Sequence, residues 1–162
     1  MRDEIRKHKI EVFSSNYQLY GDVSRRVMKT LDEFTPDLMV YSIDEAFLNL
    51  SHVAPGEEVA FATEMRQRVY RNVGIPVSVG VAPTKVLAKV ANHVAKKAKR
   101  AAAGLLSEED IVNCLRELPV REVWGIGGNA PRKLRTHGVE TGLQLREHPY
   151  TPLFRSLLTG SG

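Results

Sequence analysis

"DLMVYSIDEAFLNL", residues 37–50, sets two carboxylates, Asp44 and Glu45, inside an otherwise apolar, β-rich run. Charged groups in such a run are costly to bury unless they are paired or hold a metal. The simplest reading is a hairpin, with "DLMVYSI" and "AFLNL" as strands and the acids near the bend. Adjacent strand residues point to opposite faces of a sheet, so the two acids serve one site only if the chain bends there. By chemistry alone they are either an exposed polar turn or part of a hard-cation site, which would need further oxygen ligands.

Working outward, "NYQLYGDVSRRVMKTLDEF" predicts a helix from about Asn16 to Phe34. Tyr20, Val23, Val27, Leu31 and Phe34 recur on one face at three- and four-residue steps. Thr35–Pro36–Asp37 stops it. A short strand is predicted before it, at Glu11–Phe13. After the hairpin, a second helix runs from about Glu57 to Asn72 on Val59, Ala62, Met65 or Arg66, and Val69, with Gly74 ending it. "IPVSVGVA" is a strand, and Thr84 to about Arg100 a third helix. The order α-β-β-α-β-α is that of a ferredoxin-like βαββαβ sheet with its first strand missing. The fold class expected is therefore α+β. "AAAGLLSEED" reads as a linker into a smaller, mainly helical region.

The third helix separates its chemistry by face. Lys85, Lys89, Asn92, Lys96 and Lys99 fall in one sector about 80° wide, while Leu87, Val90, Ala91, Val94 and Ala98 lie opposite. No acid stands between Pro83 and Arg100. Exposed helices usually intersperse both signs, so this is either a solvated lysine face or a cationic ridge for a polyanion. In the last third, "VREVWGIGGNAPRKLRTHG" predicts a helix end, a tight glycine turn and a helix, the pattern of a helix–hairpin–helix. Gly125 and Gly127 let the backbone approach a ligand or adopt positive φ, Ile126 plugs the core, and Trp124 either wedges the hairpin against its neighbours or stacks on a base. Asn129 is the expected N-cap, Pro131 sits in the first turn and Gly138 closes the helix.

Composition bounds the reading. The chain has 162 residues, 43% of them hydrophobic, with net charge +4 and an isoelectric point near 9.3. Residues 1–104 carry 16 Lys/Arg against 12 Asp/Glu, and the remainder carries seven of each, so the basic excess lies wholly in the first part. A single cysteine, Cys114, excludes an internal disulfide and fits a reducing compartment. No apolar run approaches the roughly 20 residues of a membrane span, and the first residues are no signal peptide. A cytoplasmic protein is expected.

Three stretches taken together, "YSIDEAFLNL", "SVGVAPTKVLAKVANHVAKK" and "VWGIGGNAPRKLRTHG", closely resemble the Y-family translesion DNA polymerases. "FSSNYQLYGDVSRRVM" favours the UmuC branch over the DinB branch. The resemblance runs in order from about residue 10 to about residue 147. It implies an error-prone, lesion-bypassing polymerase of the SOS response, with residues 1–104 as a partial palm and residues 105–162 as a partial thumb. It further implies that Asp44 and Glu45 are catalytic carboxylates binding two Mg2+ ions, and that Lys96 contacts the triphosphate of the incoming nucleotide. Lys85 and Lys89 on the ridge, and Gly125, Ile126 and Gly127 in the thumb hairpin, would hold DNA. The implied partners are primer–template DNA, deoxynucleoside triphosphates, a UmuD-type subunit and the recombinase filament, with no membrane.

The chain also departs from the family pattern. A first strand bearing another metal-binding aspartate, the fingers and the little finger are not found, "HPYTPLFRSLLTGSG" no longer reads as thumb, and Pro131 replaces a small residue. The chain alone is therefore expected not to extend a primer. Two readings from other classes stay open: a non-catalytic DNA-binding module, and a ferredoxin-like regulatory or nucleotide-binding domain, since that sheet hosts many functions.

Overall fold

The computed structural model describes residues 2–99 and 102–149. The predicted end of the third helix at Arg100 and the last residues of the expected thumb lie outside them. The chain divides into two compact units, Met1–Leu48 and Asn49–Gly162. Helices and strands are mixed in both, as the α+β expectation requires, and among the described residues no helix is long and apolar enough to cross a membrane.

The first unit opens with α1 (Arg2–Lys7), a helix the sequence reading did not foresee, with acids in its first turn and bases in its last. The strand expected at Glu11–Phe13 does not form: these residues are exposed and irregular. Isolated β-rich triplets without a pairing partner leave their backbone groups to water, and nothing then favours the strand. Helix α2 (Tyr17–Asp32) starts where predicted, its N-cap Asn16 accepting from the Leu19 N–H at 3.0 Å. Val23, Val27, Leu31 and Phe34 are half-buried, but Tyr20 is 62% exposed. Helix α2 packs on β1 (Leu38–Val40), which pairs antiparallel with β2 (Ala46–Leu48) in the register Val40↔Ala46. Strands of three residues span about 10 Å against about 24 Å for this helix. They cover its later turns and leave Tyr20 outside.

In the second unit, α3 (Glu58–Val73) buries Ala62, Met65 and Val69 and ends on Gly74 at φ +79°, whose N–H donates to the Tyr70 carbonyl at 2.8 Å. Between the neighbouring candidates Met65 and Arg66, Met65 takes the core; the Arg66 Nε donates to the Val77 carbonyl at 3.0 Å. Strand β3 (Val79–Val81) runs parallel to β4 (Ala102–Gly104), joined by the crossover helix α4 (Lys85–Lys97). The stretch read as a linker thus begins with a strand. Ala-Ala-Gly has no β-branched residue to announce one; its pairing comes from the βαβ connection. The four described strands make two two-stranded sheets, one in each unit.

Helices α5 (Glu108–Glu117), α6 (Ala130–Thr136) and α7 (Gly142–Glu147) follow, with a 3-10 turn at Val120–Glu122. Val90 and Ala91 of α4 share one apolar cluster with Leu105, Ile111, Leu115, Leu118 and Val123, and Leu134 centres a second with Val120 and Val139. Ile126 packs against both, as its place between glycines predicted. Arg146 makes two contacts to the Glu108 carboxylate, at 2.8 and 3.0 Å, which tie α7 to α5 and hold the guanidinium's proton more tightly.

Candidate functional site

The acids lie where the hairpin reading put them. With Val40 opposite Ala46, the chain turns through Tyr41–Ser42–Ile43–Asp44–Glu45. The N–H groups of Tyr41 and Ser42 both donate to the Glu45 carbonyl, at 2.9 and 3.0 Å, which closes the loop and carries both acids away from strand geometry. This bend is what two adjacent residues need in order to share a site. Asp44 is exposed and Glu45 half-buried. The Ser42 hydroxyl donates to Asp44 Oδ1 at 2.7 Å, and from α2 the Ser24 hydroxyl donates to the Ile43 carbonyl. Tyr41 meets Phe47 edge-on, with ring centroids 5.9 Å apart. Neither serine was marked by the sequence reading. The available signal is only that a serine in a turn can accept from the backbone N–H two residues on, here the longer contact from the Asp44 N–H at 3.4 Å.

Carboxylate oxygens are hard donors suited to Mg2+ or Mn2+. Two of them make part of a six-oxygen shell that such ions normally complete with water and substrate phosphates. The residues fit such a cation as partial ligands. Among the described residues no group of three His, Cys, Asp or Glu side chains gathers to hold a metal ion.

The lysines belong to α4. Thr84 caps its N-terminus, accepting from the Leu87 N–H at 3.3 Å. Val90, Ala91 and Ala95 are buried, and on the other side Lys85 and Lys96 are exposed and Lys89 half-buried. Ala95 rather than Ala98 lies on the buried face; Ala98 follows the last helical residue and is exposed. Lys85 and Lys96 stand eleven residues apart, about 16 Å along the helix. Gly80 sets how α4 lies on β3: a Cβ there would fall 2.2 Å from both the Ala88 carbonyl oxygen and the Asn92 nitrogen. A glycine inside a strand pattern signals such a close backbone approach.

In the glycine turn, Gly125 takes φ +91° and Gly128 φ +56°, while Gly127 is not at positive φ. The N–H groups of Gly127, Gly128 and Asn129 donate to no partner among the described residues. Asn129 makes no side-chain cap bond. Its backbone, at φ −87° and ψ −8°, is already helical, whereas capping uses an extended residue whose side chain reaches the second or third N–H. The second of those positions is Pro131, which has none. Cys114 is half-buried, and burial pushes its thiol up, away from the thiolate a nucleophile needs.

The structure thus gathers Asp44 and Glu45 in one loop of the first unit. Lys85, Lys89 and Lys96 lie on one helix of the second, and Gly125, Ile126 and Gly127 in one turn of that unit. The profile of the impB/mucB/samB family matches residues 2–93, which include the carboxylate hairpin, Lys85 and Lys89; Lys96 lies just beyond the matched residues. The chain belongs to this family. It is 42% identical over 150 residues to the protein UmuC of Salmonella typhimurium, a match covering 90% of this chain and 36% of that protein. Among solved structures it is similar to DinB from Sulfolobus solfataricus, with 29% identity, a TM-score of 0.71 and coverage of 90% of this chain and 42% of that one. An insertion ternary complex of Dbh DNA polymerase gives 29% identity, a TM-score of 0.72 and the same coverage. The expected resemblance to the UmuC branch of the Y-family therefore holds, and the chain spans about a third of the length of the curated relatives it matches.

Proposed function

We propose that this impB/mucB/samB segment carries two metal-binding carboxylates of a Y-family translesion DNA polymerase, together with part of its grip on nucleotide and DNA. The observation that carries the reading is the closed hairpin loop, which presents Asp44 exposed beside Glu45 within a segment of that family. Mg2+ is the proposed ion. When bound, a pair of such ions supplies charge stabilisation to the attacking and leaving oxygens of an in-line displacement. Asp44 and Glu45 hold the ions, and Lys96 meets the nucleotide's triphosphate. Lys85, Lys89 and the turn Gly125–Ile126–Gly127 engage DNA phosphates without reading sequence. In the same reading residues 1–104 are the palm portion, ferredoxin-like in plan, and residues 105–162 the thumb portion with its helix–hairpin–helix. The partners are damaged primer–template DNA and deoxynucleoside triphosphates, with a UmuD-type subunit and the recombinase filament, in the cytoplasm. Polymerisation belongs to the longer proteins of which this segment matches about a third.

The polyanion half of the proposal is tested on the chain itself. Fluorescence anisotropy with labelled primer–template should show weak, sequence-independent binding whose log-affinity falls linearly with log salt. Each lysine that touches phosphate contributes roughly one unit of that slope. Replacing Lys85, Lys89 and Lys96 together by alanine should therefore flatten it by about two to three units. An unchanged slope would make the ridge a solvated face and remove it from the site.

A further inference from the structure

The carboxylate loop contains one polar contact that these roles do not use. The Ser42 hydroxyl lies 2.7 Å from Asp44 Oδ1 but 3.4 Å from the Asp44 N–H. A serine serving only to shape the turn would make its short bond to the backbone amide; here the short bond goes to the carboxylate. The backbone on either side is fixed as well. The Ser42 N–H is taken by the Glu45 carbonyl, and the Ile43 carbonyl by Ser24 of α2. The second carboxylate oxygen, Oδ2, has no hydrogen-bond partner among the described residues. An exposed aspartate otherwise loses rotamer freedom when it takes a ligand, and ligating carboxylates are commonly held by a neighbouring hydrogen-bond donor for this reason.

We propose that Ser42 is a positioning residue for Asp44: its hydroxyl holds Oδ1, so that the carboxylate is already ordered with Oδ2 left to a divalent cation. This rests on the reading of Asp44 as a metal ligand, and the test separates the two claims. The 15N-labelled 162-residue chain is titrated with Mn2+, and the paramagnetic broadening of amides 41–46 is followed. Ser42→Ala should raise the Mn2+ concentration for half-broadening about tenfold, the lower end of what loss of such a supporting contact costs. Ser42→Thr, which keeps the hydroxyl, should restore the affinity to within about twofold. Both variants should keep the metal-free amide positions of the strands Leu38–Val40 and Ala46–Leu48. Wild-type affinity in Ser42→Ala, with broadening lost in Asp44→Asn, would overturn the positioning role and leave the metal reading intact. Shifted strand amides in Ser42→Ala, with no rescue by threonine, would make the serine a turn-former only and also overturn it. Absence of local broadening in the wild-type chain would overturn both claims.

Discussion

Gly80→Ala should cost the second unit about 3 kcal/mol, the upper part of the range for overpacking a close-packed site. The added methyl group would sit 2.2 Å from the Ala88 carbonyl oxygen, 2.2 Å from the Asn92 nitrogen and 2.9 Å from the Ala91 carbonyl carbon. All three are backbone atoms of α4, so no rotamer change makes room. The helix itself must lift from β3, taking Val90 and Ala91, each at most 1% exposed, out of the core they share with Leu105 and Leu115. Gly21→Ala is the control. Gly21 lies inside α2 with nothing within 4 Å of the new methyl, and a helical glycine-to-alanine change in open space should stabilise by about 0.5–1 kcal/mol. Chemical denaturation of the two variants should therefore give shifts of opposite sign. Two shifts within about 0.5 kcal/mol of zero would mean that α4 does not lie on Gly80 as described.

Asp44→Ala and Glu45→Ala, each made in a full-length polymerase that contains this segment, should each lower metal-dependent primer extension by about a thousandfold or more. Metal charge stabilisation of such a transition state is worth several kcal/mol, and each 1.36 kcal/mol is a factor of ten in rate. Affinity for primer–template should change little, because neither acid is among the cations that neutralise phosphate. That split distinguishes lost chemistry from lost binding. Extension surviving both substitutions would take the two acids out of the mechanism.

What could be read from the sequence followed from periodicity and local chemistry. Helices α2, α3 and α4 each carry an apolar stripe that names the buried face, and β1 and β2 are β-rich runs on either side of a polar bend. The acids and lysines were legible because charge inside a strand run, and one sign along a helix, are both departures from the ordinary. The misses have tertiary causes. Strand β4 is Ala-Ala-Gly and exists only because α4 returns the chain beside β3. Tyr20 fits the apolar stripe of α2, but the short hairpin does not reach it. The missing cap at Asn129 follows from its helical backbone and from Pro131, a combination that a preference for Asn at helix starts does not anticipate. The Ser42–Asp44 bond depends on the dihedral angles of a five-residue loop, which no spacing rule supplies.

The central claim is that the hairpin of Asp44 and Glu45 is a site for divalent cations, and it is open to direct measurement on the chain. Electron paramagnetic resonance of free Mn2+, recorded during titration of the 162-residue protein, counts the ions it removes from solution. The wild-type chain should take up Mn2+ with weak, roughly millimolar affinity, the low end for oxygen-ligand sites with few charges. The Asp44→Asn, Glu45→Gln double variant, with the same shape and two fewer charges, should lose that uptake while Lys85→Ala keeps it. Equal Mn2+ uptake by the wild type and the double variant would contradict the account.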